Sequence, residues 1–453
     1  MNHLLFEEFN SIPAKQWKNK IQYELHGADY NETLVWESLE GIKVRPFYHR
    51  DESQTIPVST QNSQWQIVQA IYIQEIDKSI LNAKTSLQKG TEVLYFTLVN
   101  PTLDVTQLLG ALPKDKTYLL RCLFLDHAYI ENLAHWAREQ QYTLHLLTDP
   151  IHQLITSGNW FHNLNTDFNI LNALTQQYSN VNLTIDTKAY QQAGATIVQQ
   201  IAYACTHFNE YLSRVKTVQQ PIFIEVSVGS NYFFEIAKHK VLRLLFDLIA
   251  SEYNYTDLTV RIISTPTKRN KTLYGATVNA LRTTTECMSA VLGGADFVCN
   301  LPYDALYRKE NYASQQIARN QLLSLKKHSH FHAVDNPTEG AYYIEELTKQ
   351  LAEKALDIIK QIEQADGLIT SFHQGTIQRK IAESDQKEQD WFHAQREILV
   401  GTNLQANPNE KIQEQLELFP FVKQKPRKTL LAPLIEKRLA ESYEQHRLTE
   451  ENN

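Results

Sequence analysis

Between Thr91 and Asp335 the chain carries eight short apolar runs, each bounded by polar or turn residues, and this repetition restricts the fold more than any other feature. The runs are Val93 to Val99, Tyr118 to Leu125, Tyr142 to Leu147, Val181 to Ile185, Pro221 to Val228, Leu258 to Ile263, Ala295 to Cys299 and Phe331 to Val334. Continuous apolar runs of this length read as parallel strands buried on both faces. Helical patterns fill several intervals, at Ala189 to Tyr211, Asn231 to Ser251, Asn279 to Leu292 and Asn311 to Lys327, which is the alternation of βα units. The reading is therefore an α/β chain with a closed (β/α)8 TIM barrel. Periodicity leaves an open doubly wound sheet as the alternative, but neither Gly-x-Gly-x-x-Gly nor a P-loop follows any strand, which removes the usual nucleotide-binding reason for one.

The flanks differ from this core. Residues 1–88 are polar and irregular, with Tyr30, Trp36, Tyr48 and Trp65 scattered among charges. They read as an arm that wraps a partner or packs on its own barrel, because exposed aromatics need a covering surface. The barrel is placed at 89–340. Residues 341–421 carry apolar positions at helical spacing, such as Ile344, Leu347, Leu351 and Ala355, and read as helices beside the barrel. Residues 422–453, with Lys423, Lys425, Arg427 and Lys428 around Pro426, read as a linker-like tail.

A hydrophobic fraction of 42% and a charged fraction of 21% belong to an ordinary globular protein. The net charge of −7 comes from intermixed acids and bases, which argues against nucleic acid or an anionic membrane as partner. Cys122, Cys205, Cys287 and Cys299 are widely spaced, lack a Cys-x-x-Cys pair and read as reduced core residues rather than metal ligands. Met1 to Lys20 has no apolar signal core and no later run is long enough to span a bilayer, so a cytoplasmic location is expected.

One segment carries more specific information. Asn279-Ala-Leu-Arg-Thr-Thr-Thr-Glu-Cys-Met-Ser-Ala-Val-Leu-Gly-Gly-Ala-Asp296 resembles the Asn-x-x-Arg-Thr-Thr and Ala-x-x-Gly-Gly signature of methylmalonyl-CoA mutases. Four further stretches match that family in order: Trp36-Glu-Ser-Leu-Glu-Gly-Ile42, Glu235 to Arg243, Gly340 to Thr348 and Leu399-Val-Gly-Thr-Asn403. The resemblance thus extends over nearly the whole chain. It implies a barrel that binds acyl-CoA along its axis, with adenosylcobalamin brought over the mouth by a separate domain.

The positions that carry chemistry in the family are altered here. The cobalt-ligating Asp-x-His-x-x-Gly is absent; Asp126-His127 is the nearest approach and has the wrong spacing. The family's Tyr-His-Ile-Arg-Glu-Ala-Gly corresponds to Lys188-Ala-Tyr-Gln-Gln-Ala-Gly194, where Ala189 replaces the histidine and Gln191 the arginine. An Arg-Pro-Trp stretch becomes Ser63-Gln64-Trp65, and a His-x-Gln-Thr becomes Ile263-Ser-Thr-Pro266, with Lys268 and Arg269 nearby as a candidate phosphate pair. Bulky strand residues Leu94, Phe96, Leu119, Phe223, Ile224 and Val226 favour a filled axis.

The resemblance therefore implies a non-catalytic small subunit of heterodimeric methylmalonyl-CoA mutase, with no catalytic, cofactor-binding or metal-ligating residue of its own. The adenosylcobalamin and the radical interconversion of methylmalonyl-CoA and succinyl-CoA would belong to a catalytic large subunit. Two alternatives remain. One is a self-sufficient barrel enzyme acting on an acyl-CoA through mouth residues such as Asp186, Lys188 and Tyr190. The other is a mutase-associated binding or chaperone protein.

Overall fold

The computed structural model describes residues 10–53, 56–58, 60, 62–256, 258–422 and 427–451. Lys423, Lys425 and Pro426 of the tail and the first nine residues of the arm lie outside the described residues.

Strands β1 (Trp36–Glu37) and β2 (Lys43–Val44) form a small antiparallel ribbon in the arm. Eight parallel strands then close into a barrel: β3 (Gln66–Ile73), β4 (Val93–Leu98), β5 (Thr117–Cys122), β6 (Thr143–Thr148), β7 (Val181–Asp186), β8 (Ile222–Val228), β9 (Val260–Pro266) and β10 (Phe297–Cys299). Closure runs through β10, which pairs with β9 on one side and with β3 on the other. The predicted (β/α)8 TIM barrel is the fold.

Two strand positions correct the sequence reading. The first barrel strand is β3, inside the range assigned to the arm, and Phe331–Val334 is a turn without strand pairing. Gln69 splits the strand Gln66–Ile73 into apolar stretches of only two and four residues, and Ala70 and Tyr72 are exposed at the barrel mouth. Phe331–Val334 is a short apolar run that follows helix Tyr312–Lys327, whose last turn accepts the Phe331 amide at 3.2 Å.

Side chains alternate across each strand. Val68, Val93, Tyr95, Leu119, Leu147, Phe223, Ile263, Phe297 and Cys299 make one buried cluster inside the barrel. The Phe223 ring lies 5.1 Å from that of His145 and 6.2 Å from that of Phe297. Of the residues expected to fill the axis, Leu119 and Phe223 do so. Leu94, Phe96, Ile224 and Val226 point outward into the layers under the helices.

The tail is no free linker. Its amides at Leu430 and Leu434 donate to Gly158 O at 3.0 Å and Ile155 O at 2.8 Å, Lys437 to Gln192 O at 2.9 Å, and Leu439 to Arg269 O at 3.0 Å. It straps together the loops after β6, β7 and β9, and Leu431, Leu434, Leu439 and Ala440 are buried. Its proline and lysines suggest a spacer when read locally, whereas buried leucines at wide spacing follow a surface that only the folded barrel creates.

The arm divides. Its ribbon packs on its own chain, with Ile42 buried and Glu40 Oε1 accepting the Ile197 amide at 3.2 Å at the start of helix Ile197–Arg214. In helix Ala14–Glu24, by contrast, only Ala14 is buried, and Trp17 and Tyr23 stand 42% and 81% exposed.

The four cysteines are free, Cys205, Cys287 and Cys299 buried and Cys122 half-buried. No helix among the described residues is long and apolar enough to cross a membrane.

Candidate functional site at the barrel mouth

Barrel enzymes carry their chemistry at the C-terminal ends of the strands. Here β4, β5, β7 and β8, with the first residue of the helix after β7, bring four charges and a phenol together. Arg121 contacts Asp186 closely and lies 3.6 Å from Glu225; Lys188 lies against Glu225 and 3.4 Å from Asp186. Tyr95 donates to Glu225 Oε1 at 2.9 Å. Asp186 and Glu225 have side chains only 1% exposed. Two cations thus face two carboxylates, and the cluster neutralises itself. Balanced pairing is what makes such burial tolerable, since an unpaired buried charge is strongly destabilising.

The neighbours set the ionisation states. Burial pushes the Asp186 carboxyl up, but His152, Lys188 and Arg121 outweigh it and hold the group well below the usual carboxylate range. Burial pulls the Lys188 ammonium down, yet Asp186 and Glu225 hold it above the ordinary lysine value. Burial and Glu225 push the Tyr95 phenol up. A lysine held protonated is no nucleophile and forms no Schiff base, and neither group is poised near neutral pH to carry a proton.

Behind the cluster, Asp149 binds the Asp186 amide at 2.8 Å, the Tyr211 hydroxyl at 2.7 Å and His207 Nε2 at 3.0 Å. Tyr190 OH meets His207 Nδ1 at 3.2 Å. These groups are buried and occupied with one another, so Tyr190 packs behind the mouth rather than opening onto it.

The short helix Lys188–Gln192 holds the altered stretch. Ala189 is buried in its first turn, and Gln191 accepts from Thr267 Oγ1 at 2.5 Å. Gly194 follows with φ +107°, and a Cβ there would stand 2.6 Å from Asp385 Cβ. That glycine is retained for a backbone approach to helix Thr376–His393.

Arg269, half of the candidate phosphate pair, is buried and saturated: it donates to Asp385 and Glu388 at 2.6 Å each and to Lys437 O at 3.0 Å. Only Lys268 is exposed. Asp126 caps helix His127–Glu139 by accepting the Tyr129 amide at 2.9 Å, and His127 faces Glu131 at 3.5 Å. Trp65 lies fully buried at the start of β3, its carbonyl bound by Lys326 at 2.6 Å. The structure therefore gathers Asp186 and Lys188 and leaves the others apart. Among the described residues no group of three His, Cys, Asp or Glu side chains is arranged to hold a metal ion.

Arg121, Glu225 and Tyr95 were not anticipated from sequence. Their signal was present as a charge inside an apolar strand: Glu225 in Ile-Phe-Ile-Glu-Val-Ser-Val and Arg121 in Tyr-Leu-Leu-Arg-Cys.

The family-like stretches do structural work elsewhere. Asn279 accepts from the Thr272 amide at 3.1 Å and donates to Thr272 O and Tyr303 O at 2.8 and 3.0 Å. Lys238 is buried on Glu235, Ser227 O and Gln200 rather than facing water. Gly293 meets the neighbouring helix: a Cβ there would lie 2.9 Å from that of His239.

The sequence profile of the methylmalonyl-CoA mutase family matches residues 135–449. The chain is 29% identical to the methylmalonyl-CoA mutase small subunit of Porphyromonas gingivalis, over 91% of this chain and 73% of that protein. It is 25% identical to the small subunit from Streptomyces virginiae, over 88% of this chain and 71% of that one. To the large subunit of Porphyromonas gingivalis it is 27% identical over 50% of this chain and 33% of that protein. The match of the family profile over more than half of the sequence settles its kinship: this chain belongs to the methylmalonyl-CoA mutase family.

Proposed function

We propose that the chain is a small subunit of an adenosylcobalamin-dependent methylmalonyl-CoA mutase and supplies no reacting group, the large subunit holding cofactor, substrate and catalytic residues. The observation that carries this reading is the barrel interior. Threading an acyl-CoA along the axis requires space that Tyr95, Phe223 and Phe297 occupy, and above them the mouth is closed by the self-neutralised cluster of Arg121, Asp186, Lys188 and Glu225. Ala189 offers no polarising group where the family pattern has histidine.

The cofactor does not fit the residues present. A cobalt ligand needs an imidazole free to approach the metal, with a carboxylate behind it. Asp126 is spent as a helix cap and His127 sits on the same helix facing Glu131. In the assembly the radical rearrangement between methylmalonyl-CoA and succinyl-CoA is then the partner's chemistry. The exposed Trp17 and Tyr23 of helix Ala14–Glu24 support a protein partner, since aromatic side chains are enriched at such interfaces.

Calorimetric titration of the purified chain with adenosylcobalamin and methylmalonyl-CoA, with and without the large subunit, tests the proposal. No binding by the chain alone and a tight one-to-one complex with the large subunit is the expected result. Acyl-CoA binding by the isolated chain would show that the axis opens and favour a self-sufficient enzyme. Transient association would favour the chaperone reading.

A further inference from the structure

A second cleft lies beside the mouth cluster and takes no part in it. Trp36 and Glu40 come from the arm ribbon, Glu235 from the helix after β8, and Glu388, Trp391 and Glu397 from helix Thr376–His393 and the turn that follows it. Few bonds hold these walls together. Lys387 Nζ donates to Leu39 O at 3.2 Å, Arg396 Nη2 to Glu37 O at 3.3 Å, and the Ile197 amide to Glu40 at 3.2 Å.

The charges facing the cleft leave one carboxyl without compensation. Arg269 is saturated by Asp385, Glu388 and Lys437 O, and Lys437 is bound to Asp385. Lys238 is taken by Glu235, Gln200 and Ser227 O. Lys387 and Arg396 lie over the Trp391 ring, 5.7 and 3.9 Å from its centre, and each gives one hydrogen bond to an arm carbonyl. No described residue donates to the Glu397 carboxyl, and its nearest charged influence is Glu388.

We propose that Glu397, Glu388 and Glu40 make this cleft a pH-sensitive latch, closed while Glu397 is neutral and loosened when it carries charge, so that the arm ribbon and the turn after helix Thr376–His393 open together near neutral pH. Burial, aided by Glu388, pushes the Glu397 carboxyl up to about 7, and burial also raises that of Glu40. Opening hydrates Glu397 and returns it toward an ordinary value of roughly 4.3. The open form therefore binds fewer protons between these values, and the opening equilibrium grows as pH rises through that window and levels off above it. Full hydration gives a growth of roughly five-hundredfold across that window. This inference does not depend on the mutase assignment.

Hydrogen exchange of residues 36–44 and 395–404 in the full chain, followed by mass spectrometry from pH 5 to 8.5 and corrected for intrinsic base catalysis, reads the opening directly. The wild-type segments should lose protection together as pH rises, with a plateau above about 7.5. Glu397→Gln, which keeps the carboxyl shape without the charge, should give a flat profile, and Glu388→Gln should bring the plateau to lower pH and make the rise smaller. A flat wild-type profile, or the same rise in Glu397→Gln, overturns the latch.

Discussion

Two helices beside the barrel are held in place in different ways. Helix Ala276–Gly293 carries the family-like stretch beginning at Asn279, and its polar groups are bound within the chain: Asn279 to Thr272 and Tyr303, Arg282 to Val400 O at 2.9 Å. The short helix Lys188–Gln192 is seated differently: Gly194, which follows it, has no Cβ and so admits helix Thr376–His393. The contrast teaches that one helix is pinned by its polar side chains, whereas the other is seated by the lack of a side chain at Gly194. A position fixed by packing stays constrained whether or not the barrel turns over a substrate.

The comparison breaks most visibly at the mouth cluster. Glu225→Ala should destabilise the chain by about 3–5 kcal/mol, because Arg121 and Lys188 would then share a single buried carboxylate. Urea unfolding measures this, and a loss below about 1 kcal/mol would mean that the cluster is hydrated rather than closed.

The scaffold side is sharpened by Asn279→Ala, which strands the Thr272 amide and two carbonyls. The expected loss is about 2 kcal/mol, read as a lower urea midpoint at unchanged slope. A wild-type midpoint would place the family-like stretch outside the stability of the fold.

An effect confined to acid pH comes from His239 on the neighbouring helix. Burial and the nearby Lys238 pull its imidazole down to about 3, and its nitrogens are taken by Glu235 O at 2.7 Å and Ser264 Oγ at 2.8 Å. The unfolded chain protonates this histidine below about 6.5 while the folded chain does not. Its contribution is therefore fully present above about 6.5 and is lost as pH falls toward 3, by at most about 1.4 kcal/mol per pH unit. His239→Gln should remove that part of the acid sensitivity in pH-dependent unfolding, and an unchanged slope would show the imidazole is accessible to protons in the folded state.

The smallest expected effect is the most telling. Ala189→His restores the family's residue type, yet titration with methylmalonyl-CoA should show no gain in binding, because Tyr95, Phe223 and Phe297 still fill the axis. Acquired binding would show that the axis admits an acyl-CoA and that the filled interior does not exclude it.

Much of the architecture was legible beforehand. Seven of the eight barrel strands fell on apolar runs, since a buried parallel strand needs continuous hydrophobicity. β3 is less legible because Gln69 splits it into short apolar stretches, and Phe331–Val334 imitates a strand because a few apolar residues look alike in a turn and a strand. The site was less legible. Asp186 and Lys188 stood out at a strand end, but Arg121 and Glu225 lie on strands far from them in sequence, and nothing local announces that they meet.

By itself the sequence determined the βα alternation and the family-like stretches, because periodicity, turn residues and motifs act over a few neighbours. Tertiary structure alone decided which strand residues fill the axis, which charges cancel at the mouth, and that the lysine-rich tail becomes a strap across three loops. Those outcomes depend on barrel closure, which brings residues far apart in the chain within hydrogen-bonding distance and makes the partner of a buried charge a property of the fold.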